Sequence, residues 1–216
     1  MTRVRVGSFS VSLDGFGAGP QQGEANPLGV GGRQLHDWIF ATSSGRRMIG
    51  ETGGSVGVDD AMFKGNLEIH GSTIMGRNMF GPVRGPWGDR DWRGWWGDEP
   101  PFHNPVFVLT HYERSDLVMG DTTFHFVTGG LKEALAQARE AAGDGDIHVG
   151  GGVATIRMLL DARLIDEMWL AIVPVQLGAG ERLFSALERW PVGYERGREI
   201  PGELVTHLEF IRVDAP

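Results

Sequence analysis

The sequence predicts an α/β fold: one domain over residues 1–216, built on a mixed, mostly parallel sheet with an antiparallel C-terminal edge and helices on both faces. Three observations lead there. Between residues 106 and 178, short apolar runs alternate with stretches of helical periodicity, the order that builds parallel strands joined by crossover helices. The last segment, 203–213, alternates apolar and polar residues with no helix separating it from the strand before it, which suits an antiparallel edge. No internal repeat and no break in composition divides the chain.

Each element follows from its local pattern. RVRVGSFSVSL (3–13) alternates as a strand with one buried face. A glycine-rich region follows over 15–57, within which RQLHDWIF (33–40) reads as a short helix. VDDAMFKGNLEIH (58–70) reads as a helix with Ala61, Met62 and either Leu67 or Ile69 turned inward, STIMG (72–76) as a short strand, and RNMF as the start of another helix. Residues 81–105 have neither period. They hold five prolines, five glycines and four of the seven tryptophans, and that aromatic content marks an ordered loop rather than a flexible linker. VFVLT (106–110) and TFHFV (123–127) read as buried strands, and LKEALAQAREAA (131–142) as a helix stopped by Gly143. IHV (147–149) is a strand, ATIRMLLDARL (154–164) a helix, EMWLAIVPVQLG (167–178) a long apolar strand, and ELVTHLEFIRV (203–213) the last strand.

Bulk properties narrow the function. The net charge of −8, from 28 acidic and 20 basic side chains, excludes a general nucleic-acid binder, which needs a basic face for counterion release. A chain without cysteine has no thiol nucleophile, no Cys-held zinc and no disulfide framework. The seven histidines show no HExxH or similar spacing, so no metal is expected, and there is no GxSxG elbow for acyl transfer. No window reaches the ~20 apolar residues of a membrane span. The opening MTRVRVGSFS lacks the apolar run of a signal peptide, so the expected location is the cytoplasm, away from any membrane.

Two junctions carry the chemistry. Gly150, Gly151 and Gly152 stand between a strand and a helix, where a helix N-terminus offers unpaired N–H groups and partial positive charge. Glycines leave those groups open to an anion, and they also serve a tight, close-packed turn; the triplet alone fits both uses. TIMGRNMF (73–80) repeats the order, with Gly76 ahead of Arg77 in the first turn of a helix. An arginine there opposes the helix dipole, yet its guanidinium matches a phosphate bidentately. Two such junctions suggest a dinucleotide.

IMGRNMF and HVGGGVATIRMLL together resemble the paired cofactor motifs of the dihydrofolate-reductase-like superfamily. SVSLDGF (10–16) and VPVQLGAGERLF (173–184) resemble its riboflavin-biosynthesis branch, the RibD C-terminal domain family, and the likeness runs from about residue 4 to 213. The resemblance implies a dihydrofolate-reductase-like domain with NADPH across the carboxyl ends of its strands, and no bound flavin. It implies that Gly76, Arg77 and Asn78 hold phosphate at one junction. It gives Gly150, Gly151, Gly152, Val153, Ala154 and Thr155 to the pyrophosphate at the other. Thr110 and His111, at the end of VFVLTH, would contact the adenosine 2′-phosphate, with Arg114 in reach. A homodimer and a small heterocyclic substrate are implied as well. The reaction resembled is the reduction of 5-amino-6-(5-phosphoribosylamino)uracil. The alternatives are a dihydrofolate-reductase-type pterin reductase and a non-catalytic NADPH-binding protein.

Two carboxylates are candidates for catalysis. Asp14 follows the first strand at its carboxyl end, where ligands gather in such sheets, although Asp-Gly is also a common turn pair. Asp60 occupies the place ahead of the Met-Gly-Arg motif where the resemblance puts a substrate-binding carboxylate. Asp59 and Asp60 also suit the first turn of a helix as capping acids. A phosphorylated substrate would need a cation, for which Arg33, Arg46 and Arg47 are available. The tryptophans of 81–105 fit a self-packed surface loop, a subunit contact or a lid.

Overall fold

The computed structural model describes residues 2–67, 70–82, 85–88, 91–184 and 192–213. The first strand forms as β1 (Val4–Ser12), interrupted by a bulge where Ser8 takes a φ of 42°. The glycine-rich region is more structured than its composition suggests. It holds β2 (Phe16–Ala18), a 3-10 turn (Gly32–His36), α1 (Asp37–Ala41) and α2 (Ser43–Met48). Next come α3 (Val58–Leu67), β3 (His70–Gly76) and the single turn α4 (Arg77–Phe80). After the aromatic loop, β4 (Pro105–Leu109), β5 (Leu117–Met119) and β6 (Thr122–Val127) lead to α5 (Gly130–Ala142). Then follow β7 (Asp146–Gly151), α6 (Val153–Asp161), β8 (Glu167–Val173) and β9 (Glu181–Arg182). β10 (Tyr194–Pro201) and β11 (Thr206–Arg212) end the chain as a hairpin.

Nine of these strands make one sheet in the order β10-β11-β8-β1-β7-β3-β4-β6-β5. From β8 to β6 every pairing is parallel, while β11, β10 and β5 are antiparallel to their neighbours. This is the predicted mixed, mostly parallel sheet with an antiparallel C-terminal edge. β2 and β9 form a separate two-stranded ribbon.

Side-chain alternation divides the core between the two faces. Ile74 and Phe107 point toward α5 and α6 with Val149, Ile156 and Leu159, whereas Met75, Val106 and Val108 point the other way, into the aromatic loop. On that second face, Trp38 and Ile39 of α1 and Phe63 of α3 pack on Ala171 and Val173. Helices therefore cover both faces, as a buried parallel sheet requires.

Three sequence expectations need correction. The inward face of α3 is Asp59, Asp60 and Phe63; Ala61 is exposed and Met62 half-buried. The apolar residues of α3 do not mark its inward face, because the helix turns its carboxylates inward to bond other segments. Ile69, and the side chain of Leu67, lie outside the described residues. The strand expected over 167–178 stops at Val173, since Pro174 has no N–H to continue a ladder. Finally, 203–213 is not the outermost strand: β10 pairs along its free side.

Candidate functional site

Because β3 and β7 are neighbours, with Met75 opposite Gly151, the two glycine junctions emerge side by side at the carboxyl edge of the sheet. They are close enough that a methyl at Gly76 would strike the Thr155 hydroxyl. Gly151 has a φ of 123°, where only glycine is comfortable, and its peptide to Gly152 is cis. Gly152 takes an ordinary φ of −76° and caps α6 without a side-chain hydrogen bond, so the first turn has no internal acceptor of that kind. A Cβ at Gly152 would meet nothing within 4 Å. That opening in front of a helix N-terminus is the fit an anion needs.

The walls of this opening are apolar. A Cβ at Gly150 would lie 3.0 Å from the Met79 methyl, and one at Gly151 would lie 3.3 Å from the Phe9 ring. Val153 and Thr155 are buried and Ala154 is exposed. Phe9 and Met79 were not singled out from the sequence: Phe9 reaches the glycines through the β1 bulge, which alternation does not reveal, and Met79 through the turn of α4. Asn78 lines a shallow surface depression, with room for little more than a water, together with Gln22, Gly23, Pro27, Gly81, Pro82 and Trp95.

Beyond Gly76 the arginines gather. Arg77 donates to the Thr110 hydroxyl at 3.5 Å and to the Gly85 carbonyl at 3.4 Å, and its guanidinium lies over the Trp87 ring. Arg114 donates to the Trp92 carbonyl at 2.6 Å and stands 4.8 Å from the same ring. Burial, and then the neighbouring Arg114 charge, push Arg77 down to about 10; burial also lowers Arg114. Both remain cationic at neutral pH. Thr110 directly follows β4 in a buried position, while His111, one residue on, is exposed. Arg77, Thr110 and Arg114 are thus brought together, and His111 stands at their rim.

The tryptophans pack mostly on the protein itself. Trp87 meets Phe80 and Phe126 edge-on, Trp96 stacks on Phe124, and Trp92 donates to the Phe80 carbonyl at 2.9 Å. Residues 83, 84, 89 and 90 of this loop lie outside the described set.

The candidate carboxylates are both engaged with backbone. Asp14 accepts from the Ser12 hydroxyl at 2.6 Å and from the Gly178 and Leu177 N–H groups at 2.7 and 3.1 Å. The hydroxyl first, then those N–H groups, hold its carboxyl down at about 2, so it is ionised at neutral pH. Asp60 is 7% exposed and accepts from Ser44 N at 2.6 Å, tying α3 to α2. Asp59 is buried still deeper. It meets His207 Nε2 at 2.8 Å and accepts from Leu204 N at 2.8 Å, joining α3 to the β10–β11 turn. Neither Asp caps the helix; Glu203 accepts from Val58 N and Asp59 N instead. Trp38 lies edge-on to His207 and donates to Ser10 Oγ at 2.9 Å, filling the space beneath α1. Of the three arginines considered for a substrate phosphate, Arg46 faces Glu51 at 3.9 Å, Arg47 donates to Ser44 Oγ at 3.0 Å, and Arg33 is exposed.

Many solved structures share this fold, and three of them show the range of the likeness. A protein of Shewanella sp. PV-4, provisionally assigned to riboflavin biosynthesis, is 24% identical with a TM-score of 0.61, covering 99% of this chain and 100% of that one. The dihydrofolate reductase of Enterococcus faecalis, solved with NADP(H) and RAB-propyl, is 15% identical with a TM-score of 0.51, over 99% and 97% of the two chains. RibD of Acinetobacter baumannii is 16% identical with a TM-score of 0.52; the match takes in 99% of this chain but 59% of that longer one. A comparison with curated protein sequences finds no match. The pattern of the RibD C-terminal domain matches residues 6–189, which include both glycine junctions, Asp14, Asp60 and the Arg77–Arg114 cluster, and the chain belongs to that family.

Proposed function

We propose that this protein is an NADPH-dependent reductase that reduces a small heterocyclic substrate, of the kind represented by 5-amino-6-(5-phosphoribosylamino)uracil. The observation that carries the reading is the pairing of two glycine junctions at one sheet edge, one opening onto an uncapped helix N-terminus and the other leading into two arginines. In this reading the first turn of α6, bared by Gly152, binds the diphosphate, and Arg77, Thr110 and Arg114 bind the adenosine 2′-phosphate. Phe9 and Met79 keep water from the space beside the glycines. The nicotinamide, when bound, supplies the hydride, and the chain's part is to orient both reactants. Family membership and the NADP(H) held by the Enterococcus relative support the cofactor.

Asp60 is proposed to orient the heterocycle. Asp14, ionised at neutral pH, is able to accept a hydrogen bond there but not to donate a proton. One observation favours a second reading, binding without turnover: the Asp60 carboxylate is buried and already accepts from Ser44 N.

Calorimetric titration with NADPH and NADH, followed by NADPH oxidation in the presence of pterins and aminopyrimidines, separates these readings. The expected result is tighter binding of NADPH, because each charge-assisted bond to the extra phosphate contributes about 1.5–3 kcal/mol before compensation. Turnover with a heterocycle supports the reductase, and binding with no turnover on any of them supports the second reading. Equal affinity for both cofactors would remove the phosphate role of the arginines, and a yellow purified protein would count against the cofactor assignment altogether.

A further inference from the structure

The short turn Gly85-Pro86-Trp87-Gly88 closes on Arg77 from two directions. Its Gly85 carbonyl accepts from Nη2 at 3.4 Å, and the guanidinium stands over its Trp87 ring, 2.9 Å from Cζ to the ring centroid. The indole is held in turn. Its Nε1 donates to the Tyr112 carbonyl at 2.9 Å, its edges meet Phe80 and Phe126 at 5.8 and 5.0 Å, and Arg114 stands 4.8 Å away. An acceptor oxygen on the N–H edge and a flat aromatic ring on the face are what a purine nucleotide phosphate would itself bring to an arginine. The turn therefore supplies both partners from within the chain.

A turn that gives way to a ligand needs a permissive backbone at its ends, and glycines stand there. Gly85 and Gly88 bracket the Pro-Trp pair with φ values of 82° and 65°, and a Cβ at Gly88 would meet nothing within 4 Å. Leaving would strip two neighbouring half-buried guanidiniums of the aromatic ring that both now contact. An arriving phosphate offsets that repulsion, because its charge is opposite to both.

We propose that Gly85–Gly88 is an internal competitor for the phosphate-bearing adenosine end of a nucleotide: it occupies Arg77 in the free protein, and ligand binding displaces Trp87 from the guanidinium. The inference rests on the cofactor reading above. It adds that the apparent affinity is lowered by the fraction of molecules in which the turn is closed.

The test uses the full chain and adenosine 2′,5′-bisphosphate, titrated by calorimetry into the wild type, Trp87→Ala and Trp87→Phe. If nine molecules in ten are closed, Trp87→Ala should bind about tenfold tighter than wild type. Trp87→Phe, which keeps a ring but loses the bond to Tyr112, should fall between them. Equal or weaker binding by a folded Trp87→Ala overturns the proposal. Should Trp87→Ala fail to melt cooperatively, Trp87→Phe decides alone: tighter binding supports the competitor and unchanged binding overturns it. Wild-type binding with unaltered variants leaves the cofactor reading standing and removes only this inference. Folded wild type and variants that all fail to bind the bisphosphate remove both.

Discussion

Four residues decide what the site can be asked. At Gly151 any side chain meets a φ of 123°, so loss of binding in a Gly151 variant would confuse backbone strain with a blocked anion site. Gly152 separates the two, since its φ is ordinary and the space before its Cβ is open. Gly152→Val is expected to melt like wild type and to weaken NADPH by at least tenfold, about 1.4 kcal/mol, in a calorimetric titration. Unchanged affinity would return the triplet to a packing role. Asp60→Asn keeps an oxygen for Ser44 N and removes only the charge. It should leave stability intact and lower kcat/KM by about 10- to 150-fold on a substrate found by screening, the worth of a charge-assisted bond. Asp59→Asn should behave in the opposite way. It weakens a buried partner of His207, whose Nδ1 has no hydrogen-bond partner among the described residues, and it should lower unfolding free energy by about 1–3 kcal/mol without a specific effect on the cofactor. The sequence displayed both acids at a helix start but hid this division, because the partners of Asp59 lie some 148 residues away in the chain.

At the scale of elements, legibility followed periodicity. The strands buried on both faces and helices α5 and α6 announce themselves as apolar runs and amphipathic stripes, and the structure has them with shifted ends. β10 does not: Glu195, Arg196, Gly197, Arg198 and Glu199 are all exposed, so an edge strand there has no buried face to write an alternation. The side-chain bonds that hold it come from its hairpin partner β11 and leave no periodic trace, above all Glu209 accepting from the Arg198 backbone N–H at 3.0 Å and from its Nε and Nη2 at 2.9 and 2.7 Å. β2 and α2 were hidden in glycine-rich sequence for a related reason, since they are held by specific partners and not by apolar periodicity. The Asp14 clasp is one of these, fastening the 177–178 turn to the end of β1. Its folded carboxyl is depressed to about 2 against an ordinary value of 3.8, so its contribution is complete above pH 4 and is lost as pH falls toward 2. Melting temperatures measured across that window should therefore drop more steeply for wild type than for Asp14→Asn. Parallel curves would show that the clasp does not tighten the fold.

At the scale of the whole molecule, the question is how an open sheet with two edges avoids extending itself. One edge, β5, is three residues long; the other, β10, is lined with charges of both signs. An antiparallel pairing of two β10 strands centred on Gly197 would put Glu195 opposite Glu199 and Arg196 opposite Arg198, like charge against like, which disfavours that register. The homodimer expected from the family likeness therefore should form through a face and not by joining sheets, and Ile211, 45% exposed on β11, marks apolar surface beside the edge. Light scattering at micromolar concentration should give twice the mass of one chain. The double charge reversal Glu195→Lys with Arg196→Glu should leave that mass unchanged, because edge contacts do not hold the pair, whereas Ile211→Glu should shift it toward the monomer. A wild-type monomer would end the dimer proposal. A dimer lost on charge reversal would instead place the contact on β10 and show that its charges attract in a shifted register, with Glu195 of one copy facing Arg198 of the other.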